Sequence, residues 1–244
     1  MSTTTRTTDE LRALAADAEA RFAALEGTSH DERVAAAASA LAWAHEQFGD
    51  SLTVASSMGD EALVHLASVH APGVDVLFLD TGYHFAETLG TRDAVAAVYD
   101  VKIRTVLPLL TVDEQNAKYG TDLFATNPDQ CCAMRKVEPL ERGLAPFTAW
   151  VTGMRREDAP TRSDIPLVGW DAKRDKVKLN PLAPWTQHDI DQYNATHGVL
   201  VNPLRQEGYA SIGCAPCTRA VAPGEDPRAG RWSGLTKTEC GLHT

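Results

Sequence analysis

The sequence predicts an α/β fold: a mostly parallel sheet with helices on both faces and a mobile C-terminal tail. Three observations carry this expectation. Short apolar runs of strand length alternate with helix-length segments from residue 49 to about residue 200. Val74–Leu79 is apolar apart from Asp75, as suits a strand covered on both faces. From Pro203 onward the pattern stops and Gly, Pro and Arg accumulate, so this part has little core-forming capacity and folds over the domain or moves as a lid. On this reading the chain divides into a helical segment at 1–48, an α/β domain at 49–203 and a C-terminal segment at 204–244.

The elements follow in order. Residues 9–48 are rich in Ala, Leu and Glu and predict two helices broken near Gly27-Thr28-Ser29. A strand over 52–56 runs into the turn Ser57-Met58-Gly59, and a helix follows over 60–70. The strand at 74–79 ends in Asp80-Thr81-Gly82. A helix over 84–99 and a strand over 102–106 repeat the unit, and the alternation implies a parallel sheet. Cys131 begins a helix reaching Glu141, and a strand over 147–152 precedes Gly153. Residues 154–175 carry many charges with Pro160 and Pro166 and predict a long loop. A short strand over 177–179 comes next, and Thr186 caps a helix reaching about His197.

Composition narrows the function classes. The 244 residues hold 23 Lys and Arg against 33 Asp and Glu, a net charge of −10. An extended nucleic-acid-binding face needs an excess of cations, so no nucleic-acid partner is expected. A few local arginines still suffice for a small anion. There is no run of about 18 apolar residues, and Met1 to Glu10 lacks the basic-then-apolar pattern of a signal peptide. No membrane association is expected, and a cytoplasmic location follows as the default. In a reducing compartment, five cysteines read as metal ligands or reacting thiols before disulfides.

Ligands of open parallel sheets bind beyond the carboxyl ends of the strands. Ser56-Ser57-Met58-Gly59-Asp60 offers hydroxyls and backbone amides there, just ahead of a helix N-terminus. Leu79-Asp80-Thr81-Gly82 supplies a second turn at a neighbouring strand end. Neither matches the Walker loop or the dinucleotide fingerprint, and two tight strand-to-helix turns are the plainer alternative. Ser56, Ser57, Leu79 and Gly153 are the candidates for a nucleotide pocket.

Four cysteines form two pairs, Cys131-Cys132 and Cys214-Ala215-Pro216-Cys217. Two such pairs can converge on one four-coordinate site. Zinc is one reading. Its paired ligands usually stand two to four residues apart, and adjacent cysteines are awkward for one tetrahedral ion. They are easier on an iron–sulfur cubane, where each thiolate addresses a different iron. Cys240 stands alone in Glu239-Cys240-Gly241-Leu242-His243. A thiol there can enter a site, react and swing out to a reductant, or it can be an unimportant terminal cysteine.

Together these segments resemble the assimilatory sulfonucleotide reductases, and within them the bacterial adenylyl-sulfate (APS) reductases that carry a 4Fe-4S cluster. The matching elements are Leu79-Asp80-Thr81-Gly82, Cys131-Cys132 with Arg135-Lys136, Thr152-Gly153-Met154-Arg155-Arg156, Thr161-Arg162-Ser163, Cys214-Ala215-Pro216-Cys217-Thr218-Arg219 and Glu239-Cys240-Gly241-Leu242-His243. They span roughly residues 45–244. The resemblance implies an adenine nucleotide alpha-hydrolase-like fold, related to pyrophosphatase-loop (PP-loop) enzymes. The turn Ser-Ser-Met-Gly-Asp departs from the Ser-Gly-Gly-type loop of the ATP-using members, which fits a substrate without a pyrophosphate.

The resemblance also implies the chemistry. APS is reduced to sulfite and AMP in sulfate assimilation, toward cysteine biosynthesis, with thioredoxin as reductant. Cys240 is the nucleophile and forms an S-sulfocysteine. Cys131, Cys132, Cys214 and Cys217 hold the 4Fe-4S cluster, which is read as structural and electrostatic because thioredoxin supplies the electrons. Lys136, Arg162, Arg228, Arg231 and His243 carry over as substrate-binding groups, with Arg135, Arg155 and Arg156 as weaker candidates. Lys136, four residues after Cys132, shares its helix face and can bridge the cluster and the substrate sulfate. A homo-oligomer is plausible from the family alone. The alternatives are a 3′-phospho-APS reductase, whose members characteristically lack the four cysteines, a PP-loop thiolating or adenylylating ATP enzyme, and a non-catalytic redox or zinc-binding module.

Overall fold

The computed structural model describes residues 6–59, 61–234, 237, 241 and 242. Six strands form one sheet in the order β3-β2-β1-β4-β6-β5. These are β1 Leu52–Ala55, β2 Val74–Leu79, β3 Val101–Val106, β4 Ala149–Thr152, β5 Val168–Asp171 and β6 Lys176–Leu179. All neighbours are parallel except β5, which runs antiparallel to β6 at the edge. Strand side chains alternate between faces. Val54, Val76, Phe78, Ala149 and Val151 therefore enter the larger apolar core, while Leu77 and Trp150 enter a second one with Leu140, Leu144 and Phe147. Both faces are covered, as the apolar runs require.

The larger core is roofed by α1 Thr8–Ala23, α2 His30–Phe48, α3 Glu61–His70 and α9 Gln187–His197, with Val95 of α4 Ala86–Val98 contributing to it. Phe22 of α1 meets Trp43 of α2 edge-to-face at 5.6 Å, an apolar contact of the kind that locks helix pairs. Capping boxes at Thr7, Ser29 and Thr186 fix where α1, α2 and α9 begin. Gly27, at φ +68, ends the turn between α1 and α2. Trp185, buried beside Tyr193, belongs to this core, and Trp170 packs against it.

The structure departs from the sequence reading in three places. β5 lies inside the segment expected to be a long loop. Four residues with Gly169 among them give too short an apolar pattern to reveal an edge strand. Three helices, α5 Val112–Tyr119, α6 Leu123–Thr126 and α7 Pro128–Cys132, occupy a stretch that had been given no structure beyond the helix expected at Cys131. That helix is broken: α7 passes through a π-helical turn, Ala133–Val137, into α8 Glu138–Leu144. Pro139 explains the wide turn. It has no N–H to give the carbonyl of Arg135, and its ring would collide with that carbonyl in a tight helix. The Glu138 N–H instead reaches the Ala133 carbonyl, five residues back. From Pro203 on, the described residues form short 3-10 turns, one isolated antiparallel bridge between Thr218 and Arg231, and otherwise irregular chain. No helix among the described residues is long and apolar enough to cross a membrane.

One ionic node ties α9 to α2. The buried carboxylate of Asp189 accepts from the Thr186 amide and hydroxyl at 2.8 Å each, from Arg33 at 2.6 Å, and stands 3.1 Å from His30 Nδ1. Burial alone would raise its pKa. The hydrogen bonds from Thr186, His30 and Arg33 outweigh burial and hold it well below the usual carboxylate range. A lowered folded-state pKa gives stability that is present above the unfolded pKa and lost as pH falls through the folded one. Asp189→Asn is expected to cost roughly 1–3 kcal/mol at neutral pH, read by denaturant unfolding. The gap to the parent should close in acid, once the parent carboxylate is protonated.

Candidate functional site

The carboxyl ends of β1, β2 and β4 lie side by side, because Ala55 is in register with Leu77 on one side and Thr152 on the other. β1 lies between strands that follow in opposite directions along the sheet, so a crevice opens beyond its end. There Ser56 accepts the Met58 amide on its hydroxyl at 3.1 Å. This bends the chain through Met58, buried at φ +57 in the left-handed region that few non-glycine residues adopt. The crevice deepens into a cleft of about 870 Å³, ample for a nucleotide-sized ligand.

All eight expected substrate-binding residues that lie in the described part line this one cleft: Ser56, Ser57, Leu79, Lys136, Gly153, Arg162, Arg228 and Arg231. Arg162 is buried and donates to Asp158 at 3.2 Å; Asp158 also accepts from Arg155 at 2.8 Å. The Arg231 guanidinium donates to the Ser211 hydroxyl at 3.2 Å and lies 4.7 Å from the centroid of the Trp232 ring. Cys240 and His243 lie outside the described residues.

Beside the cleft, Cys131, Cys132, Cys214 and Cys217 wall one small apolar hollow with Tyr83, Phe124 and Trp232. All four are reduced. Burial pushes the Cys131 and Cys217 thiols up to about 11, and the neighbouring thiols push the same way. The Thr81 hydroxyl is 3.3 Å from Cys214 Sγ. Among the described residues no three His, Cys, Asp or Glu side chains are grouped to hold a single metal ion. Four thiols around one hollow are a donor set that would suit one tetrahedral ion or a polynuclear cluster with one thiolate on each iron.

Cleft and hollow share a wall. Lys136, Cys214 and Trp232 line both. Lys136 sits in the π-helical turn, not in the α-helix expected from the sequence, and lines the hollow with Cys132. Of the weaker candidates, Arg155 lines the cleft. Arg135 faces the hollow and donates to Gln115 at 2.7 Å and to the Thr81 carbonyl at 2.8 Å. Arg156 pairs with Glu26 at 2.6 Å and ties the loop to the N-terminal helices.

Sequence reasoning missed several lining residues. His84 had been read only as the start of a helix that in fact begins at Ala86. Its Nε2 lies 2.9 Å from the Leu79 carbonyl, which fixes the proton on that nitrogen, and it packs on Phe78 at 4.8 Å. Burial lowers its pKa, so the ring is neutral at physiological pH. Arg205 joins the tail to the first turn by donating to the Gly59 carbonyl at 2.9 Å. His84 has a clue in its position just after the Asp80-Thr81-Gly82 turn; Arg205, in an irregular segment, has none.

The phosphoadenosine phosphosulfate reductase domain model matches residues 51–220. The chain belongs to this family. An adenosine 5′-phosphosulfate reductase of Streptomyces coelicolor is 57% identical over 238 residues, covering 98% of this chain and 97% of the relative. Another, from Mycolicibacterium smegmatis, is 54% identical over 240 residues, covering 98% of each. Among solved structures, the phosphate complex of phosphoadenylyl-sulfate reductase from Candida auris has a TM-score of 0.67 at 25% identity, covering 90% of this chain and 100% of that one. FMN adenylyltransferase of Candida glabrata, with FMN and an ATP analogue, has a TM-score of 0.55 at 14% identity, covering 88% and 76%. That likeness extends to the fold alone and agrees with the adenine nucleotide alpha-hydrolase-like expectation.

Gly213 makes room for Arg231: a β-carbon there would stand 2.3 Å from the guanidinium Nη2. The guanidinium is the far end of a flexible side chain and can shift, at the expense of its contacts with Ser211 and Trp232. Gly213→Ala is therefore expected to keep the unfolding midpoint within a few degrees while weakening AMP and sulfate, used as anion probes, by about three- to tenfold in calorimetric titration.

Proposed function

We propose that the chain reduces adenosine 5′-phosphosulfate to sulfite and AMP, with Cys240 as nucleophile, thioredoxin as reductant and a 4Fe-4S cluster on Cys131, Cys132, Cys214 and Cys217. The observation that carries this reading is the shared wall: a cationic nucleotide-sized cleft and a four-thiol hollow meet at Lys136. The near-full-length likeness to proteins named adenosine 5′-phosphosulfate reductase supports APS over its 3′-phosphorylated form.

In the first step the Cys240 thiolate attacks the sulfur of APS. A sulfur–sulfur bond forms, the bond from sulfur to the bridging oxygen breaks, and AMP leaves with the electron pair. In the second, a thioredoxin thiolate attacks the Cys240 sulfur and sulfite departs with its electrons. The second thioredoxin thiol then resolves the mixed disulfide, so the dithiol supplies both electrons.

The chain's cations divide the anionic load. Arg162 and Arg231 offer planar donor forks to sulfate and phosphate oxygens, Arg228 adds a third, and Lys136 acts as a point charge. Asp158 holds Arg162 in the cleft wall and offsets part of the charge when substrate is absent. Ser56, Ser57, Leu79 and Gly153 line the strand ends where the nucleoside rests. When bound, the cluster supplies a fixed charged body behind Lys136 and cross-links two distant chain segments; electron transfer through it is not required.

Protein purified anaerobically is expected to contain iron and sulfide and to absorb visible light, whereas a colourless zinc-loaded protein would remove the cluster. After addition of APS without reductant, mass spectrometry should find a sulfite-sized adduct on Cys240 and none in Cys240→Ser. No adduct on the iron-loaded parent would end this mechanism. Adduct formation from 3′-phospho-APS as efficient as from APS would favour the sibling activity.

A further inference from the structure

Arg174 is a buried cation for which the reaction above has no use. Its side chain is 3% exposed. It pairs with Glu141 at 2.8 Å and with Asp171 at 3.0 Å, and stands 5.2 Å from the centroid of the Trp150 ring. Asp171 is itself buried, at 8% side-chain exposure. Two carboxylates and an aromatic face hold the guanidinium rigid, so its donors point in set directions. Nη2, which also faces Glu141, gives a hydrogen bond of 3.1 Å to the backbone carbonyl of Leu242. The Leu242 side chain packs on the core cluster that contains Leu140 and Trp150, and it lines the cleft.

We infer that Arg174 and the apolar surface beside Trp150 form a docking site for this chain's own C-terminus, entered by Leu242, which sets the rate at which the reacting thiol is delivered. Leu242 is two residues from Cys240, a tether of about 7 Å at full extension. Ordering one end of so short a tether raises the effective concentration of the thiol at the cleft. Undocking has the opposite use: thioredoxin must reach the Cys240 sulfur, and a docked tail restricts approach. The site is therefore a positioning device with opposite effects on the two steps. Lys237 contributes a second anchor through its ion pair with Asp129 and its place 5.6 Å from the Trp232 ring centroid.

The inference rests on the proposed two-step reaction, and the test separates the two. Cluster-loaded parent, Leu242→Ala, Leu242→Met and Arg174→Met are each given APS without reductant, and the rate of adduct formation on Cys240 is followed by quenched mass spectrometry. Sulfite release by thioredoxin is then timed from the preformed adduct. Leu242→Ala should form the adduct about tenfold more slowly than the parent, with sulfite release equal or faster and faster trimming of the C-terminus by carboxypeptidase. Leu242→Met, which keeps the apolar volume, should return to within about threefold of the parent. Arg174→Met should behave like Leu242→Ala; because it strands two carboxylates and can unfold the protein, the Leu242 pair decides. Adduct formation in Leu242→Ala within twofold of the parent, or equal slowing of both steps, would overturn the docking role. Failure of the parent to form any adduct would instead overturn the proposed reaction.

Discussion

Four thiols held around one apolar hollow repel one another as soon as more than one ionises, and burial adds to that cost. Positive charge beside the hollow offsets part of that cost, Arg135 at Cys131 and Lys136 at Cys217. Arg135 and Lys136 stand beside the hollow on the π-helical turn that follows Cys132. The tail crosses back over the sheet to bring Cys214 and Cys217 opposite, pinned by the bond from the Ala215 amide to the Tyr83 carbonyl at 2.7 Å. Trp232 closes the hollow from the same tail, with its own amide bonded to the Cys217 carbonyl at 3.0 Å.

This crossing also builds the cleft. The strand ends alone provide two serines, a leucine backbone and a glycine, a neutral shelf beyond β1, β2 and β4. The cations come from elsewhere: Lys136 from the turn beside the thiols, Arg162 from the segment after β4, and Arg228 and Arg231 from the tail that also carries the second cysteine pair. Folding of the tail onto the thiol hollow thus brings Arg228 and Arg231 to the same cleft as the strand ends. In a chain of net charge −10, six Lys and Arg side chains among the described residues line this cleft beside five carboxylates.

Much of this was legible because the relevant signals are local. The apolar runs at Val74–Leu79 and around Val54 gave the parallel sheet, Thr186 gave the start of α9, and the two cysteine pairs gave the hollow. Other features depend on partners distant in sequence. β5 is a strand only because Val168 and Trp170 meet Leu179 and Val177 across a hairpin. The π-helical turn depends on where Pro139 falls in a helix that must continue past it. His84, Asp158 and Arg205 look like ordinary loop and turn residues until the cleft forms around them. Arg174 reads as a surface arginine in a charged stretch; its burial follows from Glu141, Asp171 and Trp150 converging on it.

Lys136 is where cleft and hollow join, and it offers the most direct measurement. Lys136→Met keeps the length and apolar stem of the side chain and removes its charge. If the lysine bridges the four-thiol site and the sulfate end of the substrate, the variant should keep its iron content, bind AMP within about threefold of the parent, and lose about tenfold or more in affinity for APS, measured on a Cys240→Ser background. Equal losses for AMP and APS, or no loss for either, would contradict a sulfate-directed role for the shared wall.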